Sequence, residues 1–229
     1  MSREGPVPLR PPVERGAVLR CLDYPVGREP PARTRALIEA AVDEARQIID
    51  ARGAWCALEP ARCGEVGLLP IDAEGLALGL VTLGPMLEGR VAQLQANGAL
   101  TRALILDACG SAAAEEAADL LSVRVLQGVG MIAGGGGAVG TPGCRLSPGY
   151  GGWSLDHQPA LLAHIGAHRL EVTLTPGHMM TPRKSISFAM WLGATQRPAE
   201  GLAGCAACGL RRCRVVVRPS SFPFASESP

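Results

Sequence analysis

The sequence predicts an α+β domain with a mostly antiparallel sheet, and two observations predict it. Stretches of helical period and stretches of strand character are interspersed along the chain without strict strand–helix–strand alternation. Hydrophobic residues make up 47% of the 229 positions and aromatic residues 3%, so a core can be built, and it must consist of Ala, Leu, Val and Ile. The length suits one large domain or two small ones.

The elements follow in order. Residues 1–16, "MSREGPVPLRPPVERG", carry four prolines and no apolar run, and read as a flexible N-terminal arm. "AVLRCLDY" (17–24) reads as a short strand. "PPARTRALIEAAVDEARQIIDARG" is the clearest helix, with Pro30 and Pro31 at its start and Gly53 at its end. Leu37, Ile38, Ala41, Val42, Ala45, Ile48 and Ile49 give it one apolar face. "EVGLLPI" and "GLALGLVTLG" read as strands, the second ended by Gly84 and Pro85. "MLEGRVAQLQANG" offers a short amphipathic helix. Residues 99–127 form a long Ala-rich helix whose small residues Ala108, Gly110, Ser111 and Ala112 would let another backbone approach closely. Residues 128–143 are a Gly-rich loop. "DHQPALLAHIGAHRL" reads as a short helix, and "RLEVTLTPG", "KSISFAMWLG" and "CRVVVRP" as strands, followed by a flexible tail over 219–229.

Composition narrows the function. The formal net charge of +1 gives neither a nucleic-acid footprint nor a polybasic membrane surface. The N-terminus lacks the apolar centre of a signal peptide, and no apolar run reaches the roughly 18 residues of a membrane span. A soluble cytoplasmic protein is the default expectation, and in that compartment eight cysteines do not suggest a disulfide framework. Cys21, Cys56 and Cys63 read as small buried hydrophobes. Neither a Ser-His-Asp arrangement nor a phosphate-cradling Gly-x-x-x-x-Gly-Lys occurs.

Two stretches carry chemistry. In "CRLSPGYGGW", Arg145 offers a planar fork suited to a carboxylate. Pro148 and Gly149 let the backbone approach a ligand, and Tyr150 and Trp153 supply flat faces. An amino acid joined to a nucleoside, such as S-adenosylmethionine, fits all three features. A Pro-Gly turn with an aromatic staple fits the same residues. The second stretch is Cys205, Cys208 and Cys213, spaced C-x₂-C-x₄-C, which suits zinc or an iron–sulfur cluster with a fourth ligand from Cys144, Cys109 or His178. Free, redox-sensitive thiols are the other reading. His164 and His168 stand at i, i+4, a spacing shared by metal sites and by ordinary exposed helical faces.

A family resemblance adds to this. "RLSPGYGGWSLDHQ" resembles the Arg-x-x-Pro-Gly-Tyr signature of the reactivation domain of cobalamin-dependent methionine synthase. "ALILDACGSAAAEEAADLL" resembles a helix of that domain, and "RLEVTLTPGHMMTPRKSISFAMWLGA" its final hairpin region. "CAACGLRRC", within the Cys-rich segment 204–214, is like the tail of short stand-alone relatives. The resemblance covers residues 17–218. It implies a C-shaped single domain in which helices flank a twisted antiparallel sheet and S-adenosylmethionine binds at the inner edge. The domain would support reductive methylation of cob(II)alamin on a partner corrinoid methyltransferase or methionine synthase core, with a flavodoxin- or ferredoxin-like reductant. Carried over, Arg145 would hold the methionyl carboxylate. Ser147, Gly149 and Tyr150 would hold the adenosyl part, and Glu115 would pair with the ammonium or sulfonium. His178 would lie where the corrinoid partner approaches. The chain departs from the family at Thr175, Pro176 and Gly177, where Thr-Glu-Ser is usual, and near Met190, where long members place a tyrosine. The alternative function is a non-catalytic binding or scaffold module for a corrinoid protein.

Overall fold

A computed structural model describes residues 3–25, 27–68, 75–130, 145–150 and 152–192. The described chain runs β1 (Arg3–Pro8), α1 (Arg15–Cys21), α2 (Ala32–Ile48), β2 (Arg52–Leu58), β3 (Gly75–Thr82), α3 (Met86–Ala96), α4 (Leu100–Gly128), α5 (Gln158–Ile165), β4 (Thr173–Leu174), β5 (Met180–Thr181) and β6 (Ser185–Leu192). Four strands form one antiparallel sheet in the order β1-β2-β3-β6, and β4 and β5 form a separate two-stranded hairpin. This is an α+β architecture with helices on both faces of an antiparallel sheet.

Strand parity explains the two cores. On β3, Ala77, Gly79 and Val81 face α4, while Leu76, Leu78 and Leu80 face the α5 layer. Because both faces are covered, every residue of β3 is buried and the strand reads as continuously apolar. The α4 face carries the smaller side chains, which lets a long helix pack closely on the sheet. Bulk on that face comes from neighbouring strands: Trp55 of β2 fits against Gly128, and Phe188 of β6 lies across Gly79, its register partner. A Cβ at Gly79 would sit 2.6 and 2.7 Å from the two Cε atoms of Phe188. Gly110 of α4 serves a related purpose. It admits the Leu87 side chain of α3 and the stem of Lys184, where the sequence suggested a neighbouring backbone; a Cβ there would meet Leu87 Cδ2 at 2.7 Å and Lys184 Cε at 3.2 Å.

Several expectations are corrected. Residues 1–16 are not an arm throughout, because β1 pairs with β2 from Arg3↔Cys56 to Pro8↔Arg52 and α1 begins at Arg15. Pro6 and Pro8 are tolerated because β1 is an edge strand with a register shift between Glu4 and Val7. Residues 17–21, expected as strand, are helical, because α1 buries Ala17 and Val18 in the core shared with α4. The α2 helix stops at Ile48, and Gly53, expected to end it, lies within β2, which periodicity alone did not single out. The first residues of "EVGLLPI" belong to a 3₁₀ helix over Pro60–Val66, closed by Gly67 at φ +71°. "RLEVTLTPG" contributes only Thr173–Leu174 as strand. "CRVVVRP", the tail over 219–229 and most of the Gly-rich loop over 128–143 lie outside the described residues. Among the described residues, no helix is long and apolar enough to cross a membrane.

Candidate functional site

The Arg145 segment adds a single rung to the sheet. Leu146 pairs with Ala189 of β6 through two backbone hydrogen bonds of 2.9 and 2.8 Å. Its side chain is buried on the α5 side. Alternation then turns Arg145 toward α4. There its guanidinium lies 5.7 Å from the centroid of Phe188, a cation–π stack on the ring that Gly79 admits.

Two carboxylates of α4 meet this guanidinium. Nη2 donates to Glu115 Oε2 at 3.2 Å and forms an ion pair with Asp119 Oδ1 at 2.8 Å. Nη1 is buried and has no hydrogen-bond partner among the described residues. Arg145 is mostly covered, Glu115 is 37% exposed and Asp119 54%. Burial pushes the Glu115 carboxyl above its ordinary value, Arg145 pulls it down and Asp119 pushes it up again. Burial raises Asp119 as well, against the pull of Arg145. Glu115 and Asp119 stand at i, i+4, so they share one helix face.

The loop that follows is a tight turn. The Tyr150 N–H donates to the Ser147 carbonyl at 3.1 Å, with Pro148 and Gly149 between them. Gly149 has φ +88°, and this Pro-Gly order is that of a type II turn. A Cβ at Gly149 would meet only Leu155 Cδ1, at 3.7 Å, so backbone conformation rather than space demands glycine. The Gly149 N–H donates to the Trp153 carbonyl at 2.7 Å and the Trp153 N–H to the Tyr150 carbonyl at 3.0 Å. The Trp153 indole is buried and donates to the Val66 carbonyl at 2.8 Å. Trp153 is therefore the staple of this turn and not a ligand face. Tyr150 is exposed.

The structure thus brings Arg145 beside Glu115 and sets Ser147, Gly149 and Tyr150 in the adjoining turn. Sequence reasoning missed Asp119 and Phe188. It also missed a second cation that docks on α4 from just before β6: Lys184, the only lysine of the chain, places Nζ 2.9 Å from both Asp107 Oδ1 and Ser111 Oγ. Asp107, Ser111, Glu115 and Asp119 follow one another at intervals of four, a stripe that helical spacing alone could have revealed. Met190 is buried in the core facing α4.

The other candidates lie elsewhere or outside. Cys205, Cys208 and Cys213 lie outside the described residues. Among the described residues no three His, Cys, Asp or Glu side chains group as metal ligands. His164 meets Glu65 at 3.1 Å, and Glu65 is also held by Arg62. His178 caps the β4–β5 hairpin at φ +60° and stands 3.5 Å from Asp156. Cys56 and Cys63 are buried as expected, and Cys21 is half-buried.

The α+β fold is shared with solved structures, among which thirteen chains match. One is the MetH reactivation domain bound to AdoHcy, similar with a TM-score of 0.58 over 78% of this chain and 70% of that one, at 15% identity. The likeness is one of fold. No protein-family model and no curated sequence matches the chain.

Proposed function

We propose that the chain binds S-adenosylmethionine at the Arg145 turn. It would serve as a stand-alone subunit supporting reductive methylation of cobalamin on a partner corrinoid methyltransferase, with an external flavodoxin- or ferredoxin-like reductant. One observation carries this reading: in a domain with the fold of the AdoHcy-bound MetH domain, Arg145 is seated on Phe188 beside Glu115, with a buried Nη1 that has no partner among the described residues. A buried donor without a partner is costly, and a ligand carboxylate would satisfy it. The residues present therefore fit the amino-acid end of the ligand.

Bound S-adenosylmethionine would supply the methyl group, and the chain's own contribution is positioning. Arg145 would grip the carboxylate and Glu115 would face the ammonium or sulfonium. The N–H groups of Gly149 and Tyr150 are engaged within the turn. The turn would thus offer carbonyl oxygens to the adenine amino group, with the exposed Tyr150 ring beside it. No side chain needs to act as a nucleophile.

Calorimetric titration with S-adenosylmethionine and AdoHcy tests this. Arg145→Ala should weaken binding about 10- to 150-fold, the worth of a charge-assisted contact of roughly 1.5–3 kcal/mol. Arg124→Ala, on α4 but beside Glu4 at 3.8 Å, should leave it unchanged. Equal effects from both would refute the carboxylate role. A wild-type chain that binds neither compound would favour the scaffold reading.

A further inference from the structure

Resting on the reading just given, we infer that Asp119 is an internal competitor for Arg145: it occupies the guanidinium in the free protein and is displaced by the carboxylate of an amino-acid-bearing nucleoside. The chemistry is that of like for like, since Asp119 offers the same functional group as the ligand. Its contact is the shorter of the two, 2.8 Å against 3.2 Å for Glu115, yet Glu115 alone makes a hydrogen bond of good geometry. Both acids crowd onto Nη2, and Nη1 is left buried without a partner among the described residues. A guanidinium is best matched by one carboxylate bridging two of its N–H groups. Asp119 does not provide that match. A ligand carboxylate taking Nη1 and Nη2 together would do so, and would satisfy the orphaned donor as well.

Asp119 is also the partner that can leave. It is the more exposed of the two acids, so its carboxylate can turn to water. Glu115, more covered and hydrogen-bonded, stays to face the ligand's cationic groups. The site would thus be preassembled around a surrogate. Arg145 keeps a counter-charge when empty, and affinity is lower than the bare fork would give.

The test compares wild type with Asp119→Asn, which keeps shape and removes charge, against two probes. AdoHcy carries the carboxylate; 5′-methylthioadenosine carries the same nucleoside without the amino-acid end. Competition predicts that D119N binds AdoHcy about two- to fivefold tighter, the scale of a partly exposed ion pair, and binds 5′-methylthioadenosine unchanged. Binding of AdoHcy by D119N but not by wild type also supports the inference. Unchanged or weaker AdoHcy binding by D119N overturns it while leaving the site assignment standing, and weaker binding would place the ligand ammonium on Asp119. Equal tightening of both probes overturns it too. If neither protein binds AdoHcy, the assignment of the site fails and the inference with it. Thermal melting of D119N in parallel confirms that it is folded.

Discussion

Gly79→Ala is the most direct test of how the sheet seats the arginine. Gly79 has no positive φ, so alanine is conformationally acceptable, and reduced freedom of the unfolded chain would by itself stabilise the variant by about 0.4–1 kcal/mol. The surroundings decide the opposite sign. The added methyl would lie 2.6 and 2.7 Å from the Cε atoms of a fully buried Phe188, where ordinary contact is 3.4 Å or more. The ring is rigid and enclosed by α4 and its neighbouring strands, so the backbone or the ring must shift. Overpacking of this kind costs about 1–3 kcal/mol. For a chain of this length that is a fall of roughly 2–12 °C in Tm. Chemical denaturation and melting of G79A, F188L and the double variant measure it. Shortening the ring with F188L removes the clash, so the double variant should be more stable than the sum of the single effects by about 0.5 kcal/mol or more. Strict additivity, or a G79A variant as stable as wild type, would refute the packing argument. Because Arg145 stacks on that ring, G79A should also loosen AdoHcy binding.

Other outcomes follow from the same geometry. Trp153→Phe removes the indole donor and leaves the buried Val66 carbonyl unpaired, at a cost of about 1–3 kcal/mol. Faster amide exchange at Gly149 should accompany it, and a change below about 0.5 kcal/mol would remove Trp153 from the role of staple. The raised Glu115 carboxyl binds its proton more tightly folded than unfolded. Its contribution to stability is therefore present in acid and lost as pH rises from 4.5 through the folded value. The stability of wild type relative to Glu115→Gln should fall across that window, and denaturant midpoints that rise with pH instead would contradict it. Alkylation of the folded protein should spare Cys109, whose thiol burial pushes up to about 12. Protein purified without oxygen should carry zinc, or iron with sulfide, lost in the Cys205, Cys208 and Cys213 to Ser variant. Metal-free wild type with freely reactive thiols would end that proposal.

The sequence alone determined what depends on local pattern. The apolar faces of α2 and α4, the unbroken apolar run of β3 and the Pro-Gly turn at 148–149 are periodicity and dihedral preference, and these need no distant partner. The Arg-x-x-Pro-Gly-Tyr pattern likewise singles out Arg145, because its planar fork suits a carboxylate and the following turn lets a backbone come close. What only tertiary structure decided was which pieces meet. Residues 17–21 are strand-like in composition, but burial against α4 makes them helical, and β1 gains its strand from pairing with β2 more than forty residues away. Trp153 and Tyr150, three positions apart and alike in sequence, divide into a buried staple and an exposed ring because only the indole N–H finds the Val66 carbonyl. The pairing of Arg145 with Glu115 and Asp119 depends on one rung of sheet at Leu146 and on the absence of a Cβ at Gly79. Propensity acts along the chain. Electrostatic pairing and packing act through space, and at distances of a few ångströms they are set by the folded arrangement rather than by the order of residues.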